Sequence, residues 1–245
     1  PLMCLVANGI LLKVLSLSLA VSVASLLQPY ALLDTQFTWY WFVYGYLVWE
    51  FAHFVYHWMA HKVRLLWCLH STHHAPENMN LSVSFAHFFL ENPYADIVRI
   101  GICTLLGVDP VVLMLVVGID SVWGSLIHVS EEVVPDGRMG FLQKLILTPS
   151  HHRLHHARNP IYIDTNFCNL LNVWDRLFGT YKEQQPGIAP SYGIKRPMDS
   201  TRLVDAYLGE FPALARDISR APRWRDKLCY LFMPPNWTHT ASTIP

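Results

Sequence analysis

The sequence predicts an all-α protein: an integral membrane bundle of about four membrane-embedded helices beneath a cytosolic, histidine-rich helical cap. Three observations carry this prediction. Hydrophobic residues make up 52% of the 245 positions and charged residues only 15%, with a mean hydropathy of +0.25, too apolar for an ordinary soluble domain. The apolar residues gather into runs near the length of a bilayer crossing. Three stretches, residues 53–61, 70–74 and 151–156, hold ten of the 13 histidines.

Charge and cysteine content exclude other classes. Eighteen Lys and Arg balance 18 Asp and Glu, and no basic run is present, so nucleic acid is not an expected partner. The five cysteines, Cys4, Cys68, Cys103, Cys168 and Cys229, are scattered and form no CxxC pair, so neither a disulfide framework nor a thiolate metal site is indicated. Reduced, cytosol-facing thiols are the plain inference.

Residues 2–27 contain one charge, Lys13, and are long enough to span a membrane; a signal peptide is the rival, but no charged segment precedes the apolar run. The first residue is Pro, so the numbering can begin inside a longer protein. Residues 28–38 lack Lys and Arg, which puts them on the non-cytoplasmic side, and the next span runs inward from Trp39, Tyr40 and Trp41 to His53, His57 and His61. Lys62 and Arg64 place that histidine end at the cytoplasmic surface. Residues 65–94 read as a helix and loop near the surface. Residues 97–130, broken at Gly107-Val108-Asp109-Pro110, read as a helical hairpin that returns His128 to the same face. From Arg138 the basic residues keep the chain cytoplasmic. The tail has loop markers at Pro186-Gly187, Pro190 and Pro197, an amphipathic stretch over 201–218 that Pro212 should break or kink, and an interfacial helix over 223–233. This describes a single domain over 1–245. Residues 1–135 form the membrane helices with the first two histidine clusters, 136–185 the cap with the last, and 186–245 a peripheral amphipathic tail.

The histidine spacing points to metal. His152, His155 and His156 stand at i, i+3 and i+4, as do His70, His73 and His74, so each set shares a helix face. Neutral imidazole suits zinc, copper, iron and nickel. One zinc takes three or four protein ligands, so eight or more convergent histidines imply two metals, and a pair that divides the electrons of oxygen activation calls for redox chemistry that zinc lacks. His53 reads either as a ligand or as the partner of Glu50. His87 reads as a ligand or an interfacial polar residue, His151 points off the face of its cluster, and His239 stands apart in the tail. The sequons at Asn80 and Asn236 should be silent on the cytosolic side.

The segments His57-Trp58-Met59-Ala60-His61, His70-Ser71-Thr72-His73-His74 followed by Asn80, and Thr148-Pro149-Ser150-His151-His152-Arg153-Leu154-His155-His156 resemble the fatty acid hydroxylase and sterol desaturase superfamily of membrane di-iron oxygenases. Arg158-Asn159-Pro160, Asp164, Asn166 and Trp174 to Tyr181 look most like the branch that includes alkylglycerol monooxygenase and bacterial sterol-desaturase-like proteins. The resemblance covers roughly residues 40–185. It implies iron ligation by His57, His61, His70, His73, His74, His152, His155 and His156, with His128 where the family has a further histidine. Trp58, Lys62 and Ala86-His87 depart from the usual pattern beside the iron site.

The implied activity is hydroxylation of a lipid C–H bond, on a fatty acyl, alkylglycerol or sterol-like substrate, with O2 and two iron ions. Because no dinucleotide fingerprint or fused haem domain is present, electrons must come from a separate reductase, a haem protein or, if the alkylglycerol branch applies, tetrahydrobiopterin. The expected location is the endoplasmic reticulum or bacterial inner membrane, with the site facing the cytosol. Glu50, Asp164 and Asp175 are candidate acceptors for the outer nitrogens of the ligating rings, and Asn80, Asn159 and Asn166 candidate supports. The rival readings are a lipid desaturase of the same superfamily, a membrane metal transporter or metal-binding protein, and an inactive relative serving as a scaffold.

Overall fold

A computed structural model describes residues 10–196, 199 and 202–240, with the side chains of residues 10–13 and 203 outside the description. Residues 2–9 of the first expected span and the loop marker Pro197 therefore lie outside the described residues. The described chain is helical, with no strand beyond two isolated bridges, Ile146 to Leu171 and Ala157 to Tyr192. Four longer helices form the bundle: α1 (Ile10–Leu27), α2 (Trp39–Lys62), α4 (Glu91–Leu105) and α5 (Pro110–Leu126). The shorter α3 (Arg64–His74) follows α2 directly. Then come α6 (Pro149–His155) and α7 (Val173–Phe178) in the cap, and α8 (Leu203–Leu208), α9 (Glu210–Arg220) and α10 (Trp224–Phe232) in the tail.

The ends of these helices are chemically marked. Thr38 caps α2 by accepting from the Trp41 amide at 3.4 Å. Asp109 caps α5 through the amides of Val111 and Val112 at 2.9 and 3.1 Å, with Pro110 in the first turn, where its missing N–H costs nothing. Gly107 has φ +74°, and a Cβ there would come within 2.0 Å of the Leu33 carbonyl. That close approach ties the α1–α2 connection to the α4–α5 turn, and Thr35 completes it by donating to the Gly107 carbonyl at 2.7 Å and accepting from the Asp109 amide at 2.9 Å. Both connections thus meet at one end of the bundle. With a rise of about 1.5 Å per residue, the 24 residues of α2 carry its histidines roughly 30 Å from that end.

Between α2, α4 and α5 the core is built from Tyr46, Val48, Trp49, Ala52, Cys103, Val108, Val112 and Val116. Outward, α1 exposes Leu17 and Val21, α2 exposes Trp39 and Val43, and α5 exposes Met114 and Val122. Among the described residues no helix is long and apolar enough to cross a membrane. The hairpin helices have 15 and 17 residues against the roughly 20 that a crossing needs, and α4 carries the charged Asp96 and Arg99 within its length. The hairpin begins at Glu91, earlier than the sequence reading at 97.

The tail is docked rather than loose. Leu214, Ala221 and Tyr230 pack with Cys68 of α3, and Tyr207 packs with Phe88. Its helix break lies at Gly209 and not at Pro212, which falls in the first turn of α9, where proline removes no intrahelical bond. The expected interfacial helix is α10, which exposes Trp224, Leu228 and Phe232 at i, i+4 and i+8.

Candidate metal centre

Four elements bring their histidines to one buried place: the last turns of α2, the last turns of α3, the residue after the cap of α5, and α6 with its cap. They form two groups. His57, His61, His70, His74 and His155 offer ring nitrogens that all lie within 4.8 Å of one another, and so do His73, His128, His152 and His156. Helical spacing divides the clusters between the groups. In α3 the i, i+4 pair His70 and His74 joins the first group and His73 the second, whereas in α6 His155 joins the first and the i, i+4 pair His152 and His156 the second. His74 stacks on His156 with centroids 4.4 Å apart, so the two groups share a wall.

The protonation pattern follows from the outer nitrogens. The Nδ1–H of His57 donates to the Phe167 carbonyl at 2.8 Å, that of His155 to the Thr165 carbonyl at 2.8 Å, and that of His128 to the Gly124 carbonyl at 2.6 Å. His70 Nδ1 meets the Glu91 carboxylate at 2.5 Å, and His61 Nδ1 lies 3.4 Å from Asp164. A neutral ring that donates from Nδ1 carries a lone pair on Nε2. The Nε2 atoms meet in pairs: His57 and His70, whose Nδ1 atoms both have an acceptor, at 3.1 Å, and His61 and His74 at 3.2 Å, His152 and His128 at 2.9 Å, and His156 and His152 at 3.1 Å. Burial, and then the neighbouring rings, push His73, His74, His152, His155 and His156 well below the usual histidine value, which favours neutral rings. The Nε2 of His155 is buried without a hydrogen-bond partner. Converging ring nitrogens in a cysteine-free, imidazole-only donor set fit two first-row transition metal ions.

The remaining candidates are placed differently. His53 is outside both groups; its Nδ1 is buried without a hydrogen-bond partner, and Glu50 does not serve it. The two Glu50 oxygens are instead saturated by the amides of Asn169, Leu170 and Leu171 at 3.2, 2.7 and 3.1 Å. His87 stacks on His73 at 4.3 Å with its Nδ1 on Glu91 at 2.9 Å, and so lines the second group from outside. His151 is engaged in capping α6: its Nδ1 meets the Thr148 hydroxyl at 2.9 Å, and its Nε2 meets the Tyr181 hydroxyl at 2.9 Å.

Asp164 bridges His61 and Lys62; burial raises its carboxyl, but those two partners outweigh burial and hold it below its ordinary value. Asp175 touches no histidine. It accepts from the amides of Phe167 and Cys168, both at 2.8 Å, and from the Thr180 hydroxyl at 2.6 Å, so it braces the loop whose carbonyls orient His57 and His155. Asn166, at φ +56°, donates to the carbonyls of His151 and Lys182, while Asp164 sits at φ +62°; both residue types tolerate this left-handed turn. Asn159 braces Ala189 and Ser191, and Asn80 caps the turn at Ser82; neither contacts a histidine.

Sequence reasoning missed Glu91. Its Oε1 accepts from His70 and from the Tyr56 hydroxyl at 2.7 Å, and its Oε2 faces His87. Burial works to raise this carboxyl, yet the His87 and His70 rings outweigh burial and leave it lowered, so it acts as an anion. The signal was the i, i+4 pair of His87 and Glu91.

Residues 42–180 match the family model described as fatty acid hydroxylase. The chain is 28% identical over 206 residues to alkylglycerol monooxygenase of Xenopus tropicalis, covering 83% of this chain and 43% of the relative. It is 28% identical over 204 residues to alkylglycerol monooxygenase of Homo sapiens, with the same shares. It is 26% identical over 152 residues to the ornithine lipid hydroxylase OlsE of Rhizobium tropici, covering 62% of this chain and 45% of that protein. The chain thus spans less than half the length of these curated relatives. No solved structure matches it. A family model that covers more than half of the chain, and includes all nine of the grouped histidines, establishes that the chain belongs to the fatty acid hydroxylase family.

Proposed function

We propose that the protein is a two-iron, O2-dependent oxygenase that hydroxylates a C–H bond of a lipid. The observation that carries this reading is the pair of histidine groups sharing a wall, in a chain whose relatives are named as hydroxylases and monooxygenases of lipids. Iron at both positions would relay two electrons from an external donor to O2, one oxygen atom of which would enter the C–H bond while the other left as water. The ligating set is His57, His61, His70, His74 and His155 for one ion and His73, His128, His152 and His156 for the other. The protein's part is to orient the rings through Glu91, Asp164 and the carbonyls of Gly124, Thr165 and Phe167, and to keep water from the site. The expected electron donor is a reductase, a haem protein or tetrahydrobiopterin.

We place the protein at a membrane, that of the endoplasmic reticulum or the bacterial inner membrane, with the histidine end towards the cytosol. The outward apolar residues of α1, α2 and α5, and the exposed Trp224, Leu228 and Phe232 of α10, support this placement. One domain, 1–245, carries the function.

Iron analysis of the purified protein, joined to product mass after incubation with lipid, O2 and a reductant, tests the reading. About two irons per chain and a product heavier by one oxygen are expected. A product lighter by two hydrogens would replace hydroxylation by desaturation, and metal flux without oxygen consumption would replace both by transport. Absence of iron sinks the reading altogether.

A further inference from the structure

A cavity of about 340 Å³ opens onto the histidine centre, with His61, His74, His155 and His156 on its inner face. Trp67, Ile163 and Ile194 give it apolar walls. Its charge is unbalanced. Four cationic side chains line it, Arg64, Arg158, Lys195 and Arg196, against two carboxylates, Asp164 and Glu210. Arg64 is neutralised by Asp217 at 2.9 Å, Arg196 by Asp205 at 3.2 Å and Glu210 at 2.9 Å, and Asp164 is taken by Lys62 and His61. Arg158 donates its Nε to a neutral acceptor, the Ser191 hydroxyl, at 3.1 Å. Among the described residues neither Arg158 nor Lys195 has a carboxylate within 4.0 Å, and both are exposed. Arg158 and Lys195, without an ion pair within 4.0 Å, therefore stand on a cavity whose other charged side chains are paired and whose remaining walls include Trp67, Ile163, Ile194 and the histidines.

That combination selects an anionic amphiphile. An arginine fork and a flexible ammonium are the groups that hold phosphate and carboxylate oxygens. At roughly 30 Å³ per water-sized group, the volume accommodates about a dozen heavy atoms, a head group with its first carbons and not a long chain. We propose that this cavity receives the head of an anionic lipid, whose phosphate or carboxylate is held by Arg158 and Lys195 while the adjoining carbons lie against the histidine face. That the bound lipid is also a substrate rests on the hydroxylase reading; the binding itself does not.

Calorimetric titration of the full chain in uncharged detergent tests the proposal, with hexadecyl phosphate and an uncharged hexadecyl glycerol ether as probes. The wild type is expected to bind the phosphate about tenfold or more tightly than the uncharged ether, the scale of one charge-assisted contact. The double variant R158Q/K195Q should bring the two probes to within about twofold, and R158K/K195R should keep the preference. Because all proteins meet the probes in the same micelles, partitioning cancels in the comparison. Equal binding of both probes by the wild type, or a preference that survives in R158Q/K195Q, overturns the proposal. Inorganic phosphate competing at the same concentration as hexadecyl phosphate would assign the site to a soluble anion and overturn the lipid. The titrations are run with and without iron. A preference that persists in protein that, supplied with iron, O2 and a reductant, oxidises no lipid would sink the hydroxylase reading and leave this site standing.

Discussion

The two histidine groups differ in how the protein holds them. In the first, four of the five rings rest their Nδ1 on an acceptor outside the group: His57 on Phe167, His61 on Asp164, His70 on Glu91 and His155 on Thr165. In the second, His128 rests on Gly124, while the Nδ1 atoms of His73 and His152 are buried without a hydrogen-bond partner. The first site is aimed by the fold before any ion arrives. In the second, the rings lean on one another and on the stacked His87, so a bound cation has more of the ordering to do.

The largest effect expected from breaking this contrast is at the first group itself. Replacing His155 with Ala removes an inward nitrogen of the preorganised site; iron should fall to about one per chain, and oxygen-dependent turnover by more than about a hundredfold, read by metal analysis and product formation. Undiminished turnover would refute the assignment. Next comes the brace behind the first group. Asp175→Ala strands two buried amides and a hydroxyl, so unfolding free energy should drop by about 3 kcal/mol in a denaturant titration. A loss below about 0.5 kcal/mol would mean that the loop does not depend on that carboxylate.

Smaller and more diagnostic is Glu91→Gln, which keeps the shape but removes the charge that faces His70 and His87. First-group metal affinity should weaken by about ten- to a hundredfold, with the fold retained by circular dichroism. Chelation sharpens the same contrast without mutation: a chelator added stepwise should empty the second group first, seen as a biphasic loss of iron. A single phase would put the two sites on equal footing. The smallest effect is expected at His87→Gln, which removes a stacked wall and not a ligand; second-group affinity should change by less than about tenfold.

Much of this was legible beforehand for a definite reason. Periodic spacing is a local property, so the i, i+3, i+4 histidines declared shared helix faces, and the nine residues that the resemblance nominated are the nine that converge. Asp109 with Pro110 announced the start of a helix, and Gly107 the turn before it. Glu50, Asp175 and Glu91 were not legible in their roles. A carboxylate facing a backbone amide and one facing an imidazole look the same in one dimension, and apart from His87 and Thr180 their partners lie 7 to 121 residues away.

By itself the sequence determined the all-helical class, the shared helix faces of the clustered histidines and the separation of His151 from its neighbours, because each follows from side-chain chemistry and helical period. Only the tertiary structure decided how the clusters divide into two groups, which carboxylates aim rings and which hold loops, and that Arg158 and Lys195 share a cavity with the histidines. Those outcomes depend on contacts between segments far apart in the chain, and it is packing, not spacing, that chooses them.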